Sequence, residues 1–216
     1  MNLSTNAIKS TDREIDETGA WLSIGDLMSG LLMIFALLLV VTILQLKEGE
    51  DQRIVIIQEL TDIFKENKLN IEVDKRTGDI SILDSVLFDN DSAEMKAQGE
   101  SFLKQFIPLY SKVLLSSESI SKQIRFIVVE GHTSSAGSNA HNMNLSIQRA
   151  NAVFNAIQDL KYANRKLLMN KLLVAGRGEA EANRARNDSR DRKVVFRIQF
   201  SNEQLWARFK TLVKGE

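Results

Sequence analysis

Residues Gln123 to Val153 read QIRFIVVEGHTSSAGSNAHNMNLSIQRANAV. The first eight, Gln123 to Glu130, are a β-branched run of the kind that fills a central strand. A loop of small and polar residues follows. Between Asn144 and Leu160 apolar side chains return at Leu145, Ala150, Val153 and Ile157, the spacing of a helix with one face on a core. The flanks extend this alternation. Upstream, NIEVDKRTGDISIL (Asn70 to Leu83) sets two short alternating runs around Arg-Thr-Gly-Asp, a hairpin signal. Ala93 to Leu115 predicts an amphipathic helix through Met95, Phe102, Leu103, Phe106 and Leu109, which Pro108, the sole proline, is expected to kink or end. Downstream, Lys171 to Ala175 and Lys193 to Phe200 read as strands, and Asn202 to Lys214 as a helix through Leu205, Phe209 and Leu212. The order predicts an α/β fold of the α+β sandwich kind, a sheet covered by helices on one face.

Before this domain stands WLSIGDLMSGLLMIFALLLVVTILQL, Trp21 to Leu46, with one charge, Asp26. A helix crossing the hydrocarbon core needs about 20 mostly apolar residues. The run is too long and its leading flank too acidic (Asp12, Glu14, Asp16, Glu17) for a cleaved signal peptide, so a retained single N-terminal transmembrane helix is expected. Lys9 and Arg13 before it match Lys47 and Arg53 after it, so charge does not set the orientation; a short cytoplasmic tail and an external domain are permitted. The expected divisions are a tail (1–20), the span (21–46), a helical linker (47–69) and the folded domain (70–216). The linker keeps Ile54, Ile57, Leu60, Ile63 and Phe64 on one helical stripe, which could pair two copies.

Composition narrows the chemistry. Among 216 residues, 28 basic and 28 acidic side chains balance, so no overall field recruits nucleic acid. The cluster Arg184, Arg186, Arg190, Arg192 and Lys193 is interleaved with Glu181, Asp188 and Asp191 and reads as a solvated loop. The absence of cysteine excludes disulfides and thiolate chemistry. The two histidines, His132 and His141, have no carboxylate at ligand spacing in the sequence, so no metal is expected. Gly176-Arg-Gly-Glu lacks the strand–helix context of a phosphate loop. No nucleophile–base pair is recognisable, so neither an enzyme nor a cofactor is expected.

Asp26 admits two readings. It caps the helix with Gly25, its carboxylate satisfying free backbone N–H groups. Alternatively, set in low dielectric, it binds and releases a proton as its access alternates between two aqueous sides. Small residues at Ser29 and Gly30 would let a partner helix seal it.

Trp21, Asp26, Met28, Ser29 and Phe35, as W-x4-D-x-M-[ST]-x5-F, resemble the transmembrane helix of MotB-type subunits of ion-driven rotary stators. The resemblance implies that Asp26 is the ion-translocating residue, for a proton or sodium ion, and that Ser29 lines the ion path. It implies a paired helix, hence a homodimer, inside a pentameric ring of a MotA/ZorA-like multi-span membrane protein.

The opening stretch resembles the peptidoglycan-binding motif of OmpA-like domains, G-H-T-D-x-x-G then N-x-x-L-S-x-x-R-A-x-x-V. Gly131, His132, Thr133, Gly137, Asn142, Leu145, Ser146, Arg149, Ala150 and Val153 match it. DSVLFDNDSAEMKAQG (Asp84 to Gly99) and GRGEAEANRARNDSRDRKVVFRI (Gly176 to Ile198) are similar to that family's first strand and closing loop and strand. The implied peptidoglycan-binding residues are Thr133, Asn142, Leu145 and Arg149. A guanidinium on Arg149 can hold a carboxylate bidentately, and a helix start near Asn144 would offer N–H groups to the same anion. Two positions depart from the pattern. Ser134 stands where the family has the aspartate that holds an ammonium, and Asp191 where it often has asparagine before Arg-Arg-Val.

The combined expectation is a bacterial inner-membrane, single-pass subunit with a periplasmic domain on peptidoglycan. The short chain and acidic tail look closer to Zorya anti-phage systems than to flagellar MotB, implying antiviral defence. A passive membrane-to-wall tether and a flagellar stator subunit are the alternatives.

Overall fold

The structure is a computed structural model describing residues 11–69, 71–185 and 188–201. It divides into two compact units, Met1–Glu48 and Gly49–Glu216. The helix expected over Asn202 to Lys214 lies outside the described residues.

In the first unit, helix α1 (Thr11–Glu66) contributes the stretch Trp21–Gln45, the one helical segment among the described residues long and apolar enough to cross a membrane. Its hydroxyls are satisfied within the helix: Ser23 donates to the Gly19 carbonyl (3.0 Å), Ser29 to Gly25 (2.8 Å) and Thr42 to Leu38 (2.7 Å). Such bonds lower the cost of placing a hydroxyl in hydrocarbon. The helix already includes Thr11, so part of the stretch expected as a tail is helical. Once the apolar run has nucleated a helix, each added residue gains a backbone hydrogen bond at little cost.

In the second unit, the remainder of α1 supplies Ile56, Ile57, Leu60 and Phe64, all buried. The stripe expected to pair two copies is spent on the domain's own core, with only Ile54 of its residues and the neighbouring Val55 largely exposed. Next come β1 (Glu72–Val73), β2 (Ile80–Leu83), α2 (Asp84–Leu87), α3 (Ala97–Leu114), α4 (Glu118–Gln123), β3 (Ile124–His132), α5 (Asn139–Asp159), α6 (Arg165–Met169), β4 (Leu172–Gly178), a 3-10 turn (Ser189–Asp191) and β5 (Lys193–Phe200). The sheet order is β1-β2-β5-β3-β4, with β3 and β4 parallel and the other neighbours antiparallel. The hairpin is present; Gly78 (φ +78) and Asp74 make its turn, the Asp74 carboxylate accepting from the N–H groups of Arg76 (2.7 Å) and Thr77 (3.0 Å).

Strand periodicity sorts the faces. Ile80, Ile82, Ile127, Val129, Val194, Phe196 and Ile198 enter one core with α3, α5 and the end of α1. Phe106 is its hub, with ring centroids 5.5 Å from Phe64, 5.2 Å from Tyr110 and 5.1 Å from Phe196. Helix α3 runs through Pro108, so of the two expected outcomes the proline does not end it. The carbonyl freed at Lys104 belongs to an exposed residue, while Leu103, Phe106, Ile107 and Tyr110 bury the opposite side of the helix.

Candidate functional site

On α5, Asn142, Leu145, Ser146 and Arg149 repeat at helical spacing and are all buried. This stripe meets the ends of β3 and β4, where Gly131 and Gly176 lie: a Cβ on Gly131 would run into the Ser146 carbonyl, and one on Gly176 into Ile147. The Ser146 hydroxyl donates to the Met143 carbonyl (2.7 Å) and accepts from Gly178 N–H (3.0 Å), fastening helix to strand.

The approach opens a cavity of about 320 Å³. Thr133, Asn142, Leu145 and Arg149, the four residues singled out in this part of the sequence, all line it, as does Ser134. Helix α5 begins at Asn139 rather than near Asn144, because the Ser138 side chain accepts from His141 N–H (3.2 Å) and caps it. Gly137 and His141 also line the cavity, so the helix N-terminus borders it, a favourable place for an anion.

Arg149 is 1% exposed and heavily engaged. Its Nε donates to the Ser92 carbonyl (2.9 Å), one Nη to the Asp89 carbonyl (3.4 Å), and the other lies 3.2 Å from Asp84 Oδ2. Burial pulls its pKa below the usual arginine value, with Asp84 working against that shift. The guanidinium expected to hold a ligand carboxylate lines the cavity and also organises the segment after α2. Sequence reasoning missed Arg192, which lines the same cavity, reaches Asp84 Oδ2 at 3.4 Å and keeps 27% of its side chain exposed. It was absorbed into a basic loop, although it falls where the motif resemblance places the first arginine of Arg-Arg-Val. Asp91 was missed too; at the cavity wall it pairs with His141 Nε2 at 2.7 Å.

Both histidines therefore have carboxylate neighbours: Asp91 and Glu181 are distant in sequence, whereas Glu130, two residues before His132 on β3, was overlooked. His132 lies between Glu130 (3.4 Å) and Glu181 (3.8 Å). Burial disfavours charge on Glu130, but His132 and Arg197 (3.1 Å) outweigh it and hold the carboxyl below its usual range.

Asp26 and Ser29 belong to the other unit. Asp26 lies well inside α1, fifteen residues after Thr11, where backbone N–H groups already have partners. The capping reading of Asp26 is thereby removed.

Residues 87–195 match the family model described as the OmpA family. The chain is 28% identical over 215 residues to the Zorya protein ZorB of Escherichia coli O139:H28 (strain E24377A / ETEC), covering 90% of this chain and 87% of that protein. It is 25% identical to a second Zorya protein ZorB, from Escherichia coli strain ATCC 8739, covering 88% and 92% respectively. The crystal structure of a MotB-like protein from Desulfovibrio vulgaris superposes with a TM-score of 0.51 at 16% identity, covering 71% of this chain and 94% of that one, which shows a shared fold.

Proposed function

Because the chain belongs to the OmpA family, we propose that its second unit holds peptidoglycan while its apolar helix works as the ion-carrying element of a MotB-like stator subunit in the inner membrane. The observation that carries this reading is Asp26: a carboxylate in the interior of a membrane-length helix, where capping cannot account for it. An aspartate in hydrocarbon costs about 2.5–3.5 kcal/mol at the centre of a span, so its presence calls for a use. Similarity to ZorB along 90% of the chain supports an anti-phage role.

In this proposal Asp26 takes up a proton from one side and releases it to the other, with Ser29 one turn on beside the path. Two copies stand within a pentameric ring of a MotA/ZorA-like partner, the N-terminus is cytoplasmic, and the OmpA-family domain is periplasmic. Thr133, Asn142, Leu145 and the α5 N-terminus form the wall-binding cavity, and Arg192 grips a peptide-stem carboxylate. Holding one part still lets the ring turn.

The test is protection from phage in cells carrying the native neighbouring genes, for wild type and Asp26→Asn at equal membrane abundance. Asparagine keeps the size and hydrogen-bonding capacity but cannot ionise. Protection is expected to vanish while the membrane complex still assembles. Full protection by the variant would sink the motor reading and leave a passive tether.

A further inference from the structure

Glu130 and His132, two residues apart on β3, project to the same side of the strand, and Glu181 reaches them from the loop after β4. One donor atom from each lies within 4.8 Å of the other two. His132 is 1% exposed, and its ring nitrogens face carboxylates at 3.4 and 3.8 Å without forming a hydrogen bond, while Glu130 Oε2 also has Arg197 at 3.1 Å. A buried imidazole without a hydrogen bond is costly and rare, so His132 is the residue whose surroundings call for a further partner.

We propose that Glu130, His132 and Glu181 bind a divalent transition-metal ion, zinc by its preference for mixed imidazole and carboxylate ligands, as a structural clamp behind the cavity. The separations favour an ion over a proton on the ring. Charge-assisted N–H···O bonds run at about 2.7–2.9 Å, whereas His132 Nε2 is 3.4 Å from Glu130 Oε2 and Nδ1 is 3.8 Å from Glu181 Oε2. Two donors on a tetrahedral zinc ion, each bonded at about 2.0–2.2 Å, stand roughly 3.4 Å apart. One ring nitrogen binds the ion. Nε2 already has this separation from Glu130 Oε2, and Glu181, now on the Nδ1 side of the ring, is exposed on a loop and turns its carboxylate toward the ion from within 4.8 Å. Arg197 (3.1 Å from Glu130) and Arg177 (3.3 Å from Glu181) share these carboxylates; both are at least a third exposed and swing to solvent when the ion enters.

The clamp would act on the neighbouring cavity through the chain. Thr133, which follows His132, donates its backbone N–H to the Gly178 carbonyl (2.9 Å), and Glu179 accepts from Asn142 Nδ2 (2.7 Å). Fixing Glu181 fixes the loop that holds Asn142.

The experiment uses the full chain in detergent, purified through a tag without histidine, stripped with a chelator and equilibrated with zinc. Metal retained after desalting is measured by mass spectrometry, and thermal unfolding with and without zinc in parallel. About one zinc per chain and a raised midpoint are expected, with retention at least tenfold weaker in His132→Gln and Glu181→Gln. Glu181→Gln, at a partly exposed position, remains decisive if His132→Gln fails to fold. Absence of retained zinc in the wild type, or equal retention in a folded variant, would overturn the proposal.

Discussion

Arg149 shows how a residue that matches a binding motif can serve the fold first. Its guanidinium compensates buried Asp84 and closes the carbonyls of Asp89 and Ser92. Breaking a buried ion pair costs about 3–5 kcal/mol, at the lower end where a second cation remains, as Arg192 does here. Arg149→Ala is therefore expected to lower the unfolding free energy by about 3 kcal/mol in urea denaturation, and its loss of wall binding would not identify a contact. Arg192→Gln separates the two roles: Arg149 still neutralises Asp84, so stability is kept while cosedimentation with isolated peptidoglycan falls. A second residue-scale prediction concerns Asp79. Burial raises its pKa, only partly offset by Arg197, so folding disfavours the ionised form and stability declines as pH rises from the unfolded toward the folded pKa. Asp79→Asn is expected to melt higher than wild type at pH 7, with the gain gone below about pH 3, where the carboxyl is protonated in both states. The four cavity residues were legible because they fall on one motif. Asp91, which lines the cavity, and Asp84, which pairs with Arg149 and Arg192 behind it, were not, because each meets its partner across a separation no local pattern encodes; Arg192 was passed over although the motif marked its place.

Elements were read with uneven success, and their length explains why. Helices α3 and α5 run 18 and 21 residues, enough turns for an apolar stripe to declare itself. Helices α2, α4 and α6 span 4, 6 and 5 residues, too few for periodicity, and they went unread. The start of α5 was misplaced because its first turn, Asn-Ala-His-Asn, is polar and faces the cavity rather than the core. The signal was present in Ser138, whose side chain takes one of the first N–H groups. Ser138→Ala is expected to cost about 1 kcal/mol in equilibrium unfolding and to loosen the turn carrying His141 and Asn142, visible as faster amide exchange there. Pro108 did not end its helix as one of its two readings had it: a strong local breaker yielded to the buried aromatic contacts on both sides of it.

Across the whole molecule, the boundary of the folded domain follows burial rather than the first strand. Ile56, Leu60 and Phe64 sit in the core with Phe106 and Phe196, so the end of α1 is part of the second unit. A fragment beginning at Gly49 is expected to unfold in one cooperative transition by circular dichroism. One beginning at Ile71, stripped of those side chains, is expected to show a broad, non-cooperative melt. The strand order has a consequence for biosynthesis. β5, the last strand among the described residues, occupies the middle of the sheet, between β2 and β3. A ribosome must therefore deliver residue 200 before the two halves of the sheet can join, long after the apolar helix has emerged. Membrane insertion is thus engaged before the domain can close: the anchor is set first, and the grip comes last.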